Sequence, residues 1–92
     1  MEAMAEVERL RRAFLRIDPA ARRIVLFGSL AENRVRRIDF DIDLAVSSDR
    51  YLALVSAALD SPFRVDCVDL DALPSAYRES IERYGQVIHE KG

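Results

Sequence analysis

Phe40-Asp41-Ile42-Asp43-Leu44-Ala45-Val46 is the stretch on which the fold turns. Polarity alternates with period two, so as a β-strand it puts Ile42, Leu44 and Val46 on one face and Asp41 and Asp43 on the other. Upstream, Ile24-Val25-Leu26-Phe27 is a short unbroken apolar run of the kind a central strand buried on both faces requires, and Gly28 and Ser29 follow at once. Downstream, Pro62 opens a third strand in which Phe63, Val65 and Cys67 share one face while Arg64, Asp66 and Val68 share the other. If that strand lies beside the second, Asp66 points the same way as Asp41 and Asp43.

Helical spacing fills the intervals. From Glu2 to Ile17 the apolar residues Met4, Val7, Leu10 and Phe14 mark an amphipathic helix that Asp18 and Pro19 end. The polar, basic stretch from Leu30 to Ile38, with Asn33 as a turn former, reads as a short helix or loop. Ser47, Ser48 and Asp49 can cap a helix from Arg50 to Leu59 that carries Leu52, Val55 and Leu59 on one face. Leu73, Tyr77, Ile81 and Tyr84 mark a last helix from near Pro74 to Gly85, and Val87 and Ile88 can add a short terminal strand. This order predicts an α/β (α+β) fold, a small mixed β-sheet with helices packed on it, as a single domain over residues 1–92.

A formal net charge of −2 gives no bulk electrostatic reason to expect a nucleic-acid or membrane partner, so an anionic ligand has to be held locally by metals or a few Arg side chains. One cysteine, Cys67, cannot close an intramolecular disulfide, and neither a signal peptide nor a membrane-spanning apolar run is present; a cytoplasmic location is expected.

Two Asp residues one apart on a strand project from the same face about 6 to 7 Å apart along the chain. Ionised beside an apolar run they repel each other and resist burial, and structures that keep such pairs usually supply cations. Carboxylate oxygens suit Mg²⁺, and a third carboxylate from a neighbouring strand lets two ions clamp the attacking and leaving oxygens of a displacement at phosphorus. Asp66 is the candidate by parity. A Gly28-Ser29 turn at a strand end lets backbone N–H groups and a hydroxyl approach a triphosphate closely.

Plainer readings stand beside these. Asp39, Asp41 and Asp43 spell the opening of an EF-hand loop, but Leu44 and Arg50 occupy the positions that need Gly and Glu, which sets calcium aside. Alternating Asp residues also protect an edge strand from sheet-to-sheet pairing. Asp69 and Asp71 read as a turn and capping cluster, Cys67 as a small core residue, and His89 as a residue near a flexible terminus. Arg34, Arg36 and Arg37 are either a solvated loop or contacts to a triphosphate.

Taken together, Leu26-Phe27-Gly28-Ser29 followed by Asp41-Ile42-Asp43-Leu44-Ala45-Val46 resembles the signature of the DNA polymerase β nucleotidyltransferase superfamily in its minimal form. Val65-Asp66-Cys67-Val68-Asp69-Leu70 is similar to the strand that carries that family's third carboxylate, and Tyr84-Gly85-Gln86-Val87-Ile88 to its usual ending. The resemblance implies that Gly28 and Ser29 bind the triphosphate, that Asp41 and Asp43 coordinate both of two Mg²⁺ ions, and that Asp66 binds the catalytic ion and helps deprotonate the incoming hydroxyl. The connection from Leu30 to Phe40 is one residue longer than the family commonly has, with Phe40 where Ser is frequent and Asn33 where Gly is common.

Minimal nucleotidyltransferases of this size resemble the antitoxin of pairs whose partner is a helical HEPN ribonuclease toxin. The resemblance therefore implies transfer of AMP from ATP to a tyrosine of a HEPN partner, in a homo- or hetero-oligomer, with no direct nucleic-acid contact. The alternative is a non-catalytic module that neutralises such a toxin by binding alone.

Overall fold

Ile24, Val25 and Leu26 are fully buried in β1 (Arg23–Phe27), which occupies an inner position of a four-stranded sheet. The structure is a computed structural model that describes residues 2–31 and 41–92. Element order is α1 (Ala3–Ile17), β1, α2 (Gly28–Ala31), β2 (Asp41–Ser47), α3 (Tyr51–Leu59), β3 (Arg64–Asp69), a 3₁₀ turn (Leu70–Ala72), α4 (Ser75–Tyr84) and β4 (Gln86–Glu90). Across the sheet the order is β3-β2-β1-β4: β1 pairs antiparallel with β2 and β4, and β2 pairs parallel with β3. The expected mixed sheet is present, and both Asp-bearing strands are neighbours in it.

Period-two alternation sorts the two faces. Ile24, Leu26, Ile42, Leu44 and Val46 pack with Val7, Leu10 and Phe14 of α1 and Leu54 and Ala58 of α3. On the opposite face Val25 and Ala45 pack with Leu70, Leu73 and Ile81 of the 3₁₀ turn and α4. β1 is therefore covered on both sides, as its unbroken apolar run requires. Burying this apolar surface is the main stabilising contribution.

Several helix faces differ from the periodicity. Ala3 and Glu6, rather than the 42% exposed Met4, complete the buried stripe of α1. Glu6 is held there by a fork from Arg9 and by a 2.5 Å hydrogen bond from the Ser61 hydroxyl, which ties α1 to the connection before β3. In α3, Leu52 and Leu59 are exposed and Leu54 and Ala58 are buried. That helix is apolar all round, so its own pattern selects no face; its role as the crossover between two parallel strands does. Arg50 stands at its N-cap with no side-chain cap bond, because Ser48 Oγ accepts instead from the Arg50 N–H and donates to Asp18 at the end of α1.

At the other end of the chain, Tyr77 and Tyr84 of α4 are exposed while Ile81 packs inward. Asp69 caps the 3₁₀ turn by accepting from the Asp71 N–H, as the capping reading expects. His89 lies in a paired strand rather than a loose terminus, its Nε2 3.0 Å from the Ala21 carbonyl oxygen. Cys67 is half-buried against the core, and burial, aided by the Asp69 charge, pushes its thiol up to about 12, so it packs as an un-ionised small side chain.

Candidate active site

The parallel register of β2 and β3 sets Asp43 opposite Asp66 and Asp41 opposite Arg64. On its other side Asp43 pairs with Phe27, the last residue of β1. Three strands thus place Phe27, Asp43 and Asp66 in one row, with Gly28 immediately beyond. Gly28 has φ +76°, and a Cβ built on it would lie 2.2 Å from Asp43 Oδ2. Only glycine allows the backbone to turn this way and come so near the carboxylate.

Burial raises the Asp43 carboxyl to about 6, with further contributions from the neighbouring charges of Asp66 and Asp41 and from a hydrogen bond with Asp66. Two carboxylates forced together in this way share a proton or a cation. Asp41 is placed differently: its Oδ1 lies 3.8 Å from Nη1 of the exposed Arg64, and its own side chain is partly buried. Among the described residues, no group of three His, Cys, Asp or Glu side chains is arranged to hold a metal ion. The oxygen donors and the mutual repulsion of Asp43 and Asp66 fit a hard divalent cation, with Asp41 beside them but engaged with Arg64.

Next to Gly28 a cleft of about 150 Å³ opens between the end of β1 and the end of α4. Phe27, Ile81 and Tyr84 form its apolar and aromatic wall, and Gly28, Ser80 and Gly85 complete it. Gly85 permits this approach, since a Cβ there would meet the Ile81 and Leu26 carbonyl oxygens at 2.5 and 2.8 Å. The arrangement offers a carboxylate pair, a turn open to phosphate and an apolar cleft in sequence.

A profile of the nucleotidyltransferase domain matches residues 7–88, nearly the whole chain. The chain belongs to this nucleotidyltransferase domain family. Its mixed sheet with packed helices is the polymerase β-like architecture that the sequence predicts. The nucleotidyltransferase domain also superposes on one chain of a crystal structure of a toxin-antitoxin with AMP-PNP, with TM-score 0.69 and 26% identity over 91% of this chain and 73% of the other. Likeness to the toxin-antitoxin MntA-HepT, at TM-score 0.57 and 24% identity over 95% of this chain and 69% of the other, and to a mutant of MntA-HpeT, at TM-score 0.63 and 24%, supports the fold. No curated protein matches the chain.

Of the sequence-predicted site, Gly28, Asp43 and Asp66 come together, Asp41 lies two residues away on the same face of β2, and Ser29 follows Gly28 in the first turn of α2. Arg34, Arg36 and Arg37, with Asn33 and Phe40, lie outside the described residues. Arg64 escaped the sequence reading. Periodicity places it on the Asp66 face, but only the parallel register shows that it stands opposite Asp41.

Proposed function

We propose that this nucleotidyltransferase domain is the antitoxin of a HEPN/MNT pair, transferring AMP from ATP to a hydroxyl, a tyrosine side chain of a HEPN-domain toxin, with Mg²⁺. The register pairing of Asp43 with Asp66 beside Gly28 carries this reading. Asp41, Asp43 and Asp66 would hold two Mg²⁺ ions, and bound Mg²⁺ would neutralise triphosphate charge and favour ionisation of the attacking hydroxyl. Gly28 and Ser29 bind the triphosphate through the turn after β1, and the Phe27/Tyr84 cleft beside them receives an apolar or aromatic part of a substrate.

Asp66 takes the proton of the incoming hydroxyl as its oxygen forms a bond to the α-phosphorus of ATP, and the bond to pyrophosphate breaks. With its carboxyl near 6, Asp43 is ionised at neutral pH. The related toxin-antitoxin structure with AMP-PNP supports both the choice of an adenine nucleotide and the kind of partner. A cytoplasmic location fits this role.

A second reading is a binding module that neutralises its partner by contact alone. It is favoured by the connection from Leu30 to Phe40, one residue longer than the family commonly has. Calorimetric titration with Mg²⁺ in the presence of AMP-PNP separates the two. The catalytic reading expects saturable binding that Asp43→Asn and Asp66→Asn each weaken at least tenfold; equal binding by both variants contradicts it.

A further inference from the structure

At the opposite end of the strands from Asp43, Arg78 and Glu82 of α4 face the start of β1 across a cleft of about 400 Å³. Its walls are built from two satisfied arginines. Arg22 donates to Ser47 Oγ, Asp49 and Asp71, and Arg23 donates to Glu82 and Glu90. The carboxylates Asp71, Glu82 and Glu90 that line the cleft are therefore already engaged.

Arg78, from α4, lines the same cleft, and among the described residues its buried Nε has no hydrogen-bond partner. A buried guanidinium donor without an acceptor is a standing cost that native structures normally relieve with an ion, water or ligand. Lys91 lines the cleft as a further cation. Arg22 and Arg23 are matched by Asp49, Asp71, Glu82 and Glu90, whereas among the described residues Arg78 and Lys91 enter no ion pair, the Arg78 charge acting on Asp71 only at longer range.

We propose that this cleft binds an oxyanion of the phosphate class, with the Arg78 guanidinium as its main donor and Lys91 as the second cation. A guanidinium presents its donors in a planar fork suited to phosphate oxygens, and an ammonium adds a point charge. The site is separate from the Asp43/Asp66 pair, and α4 connects the two: Arg78 and Glu82 line this cleft, Ile81 and Tyr84 the one beside Gly28. The ligand is either free phosphate or the phosphate of a nucleotide.

The test follows the Arg78 Nε–H resonance by NMR in metal-free protein titrated with inorganic phosphate and, separately, with AMP. The expected result is a saturable shift with inorganic phosphate that persists in the Asp43→Asn, Asp66→Asn double variant, so failure of the proposed transfer reaction would leave it intact. Arg78→Gln should weaken phosphate binding at least tenfold by calorimetry, and phosphate should raise the melting temperature of the parent more than that of Arg78→Gln. Tighter Arg78-dependent binding of AMP than of phosphate assigns a nucleotide, and equal binding assigns free oxyanion. No saturable shift with either ligand, or equal phosphate binding by a folded Arg78→Gln, overturns the proposal.

Discussion

Gly28 lies so close to Asp43 that a Cβ on Gly28 would fall 2.2 Å from the Asp43 Oδ2 atom. Gly28→Ala therefore has two effects. The positive φ costs about 1–2 kcal/mol for an L side chain, and the methyl group must displace Asp43 from its place beside Asp66. Urea denaturation should show a loss of at least that size, together with loss of any Mg²⁺ binding. Gly85→Ala should also destabilise, since its Cβ would meet Val25 and the Ile81 and Leu26 carbonyl oxygens, but through the fold and not through Asp43.

The raised Asp43 carboxyl makes metal-free stability depend on pH. Burial, then Asp66 and Asp41, hold it near 6, above its ordinary value of 3.8, so the folded state binds more protons than the unfolded state between those values. Its contribution is fully present below pH 3.8 and is lost as pH rises through about 6. Discounted for partial exposure, the effect is about 1 kcal/mol. Thermal melts across this window in parent and Asp43→Asn should show the slope only in the parent, and Mg²⁺ affinity should rise over the same interval as the competing proton leaves.

Asp66→Asn should stabilise the metal-free domain by about 0.5–1 kcal/mol, because it removes the charge nearest Asp43 while keeping the side-chain shape. The Asp43 carboxyl should fall toward its ordinary value, readable as a carboxyl ¹³C titration. A stabilised variant without metal binding is the signature of a site whose repulsion serves function.

Glu6 offers a contrast in the opposite layer. Its carboxylate is buried between the Arg9 fork and the Ser61 hydroxyl, and chiefly the Arg9 hydrogen bonds hold it below the ordinary range despite the cost of burial. Its stabilisation is present above the ordinary carboxyl value and is lost as pH falls from there through the lowered folded-state value. Glu6→Ala should cost about 2 kcal/mol in urea denaturation, while nucleotide transfer, built on the other face of the sheet, stays unchanged.

Legibility followed the strength of the local pattern. The alternation through Asp41 to Val46 and the unbroken run in β1 determine two strands and their faces, and the structure keeps both. Asp66 was reachable by parity, yet its register opposite Asp43 depends on the parallel pairing of strands separated by α3. Leu52 and Leu59 misled because α3 is apolar on every side, and Met4 because Ala3, too small to stand out in the pattern, fills the buried position. Arg64 and Arg78 were illegible for a common reason. Each gains its meaning from a neighbour brought in by tertiary structure: Asp41 for one, a cleft wall for the other.

The central claim is enzymatic transfer by the Asp43/Asp66 site. Its most direct test is to incubate the chain with Mg²⁺, ATP and a candidate HEPN partner, then weigh both proteins by intact mass spectrometry. The account predicts added adenylyl groups on the partner that disappear with the Asp43→Asn, Asp66→Asn double variant. A stable complex of the two chains with no added mass would contradict it and leave neutralisation by binding alone.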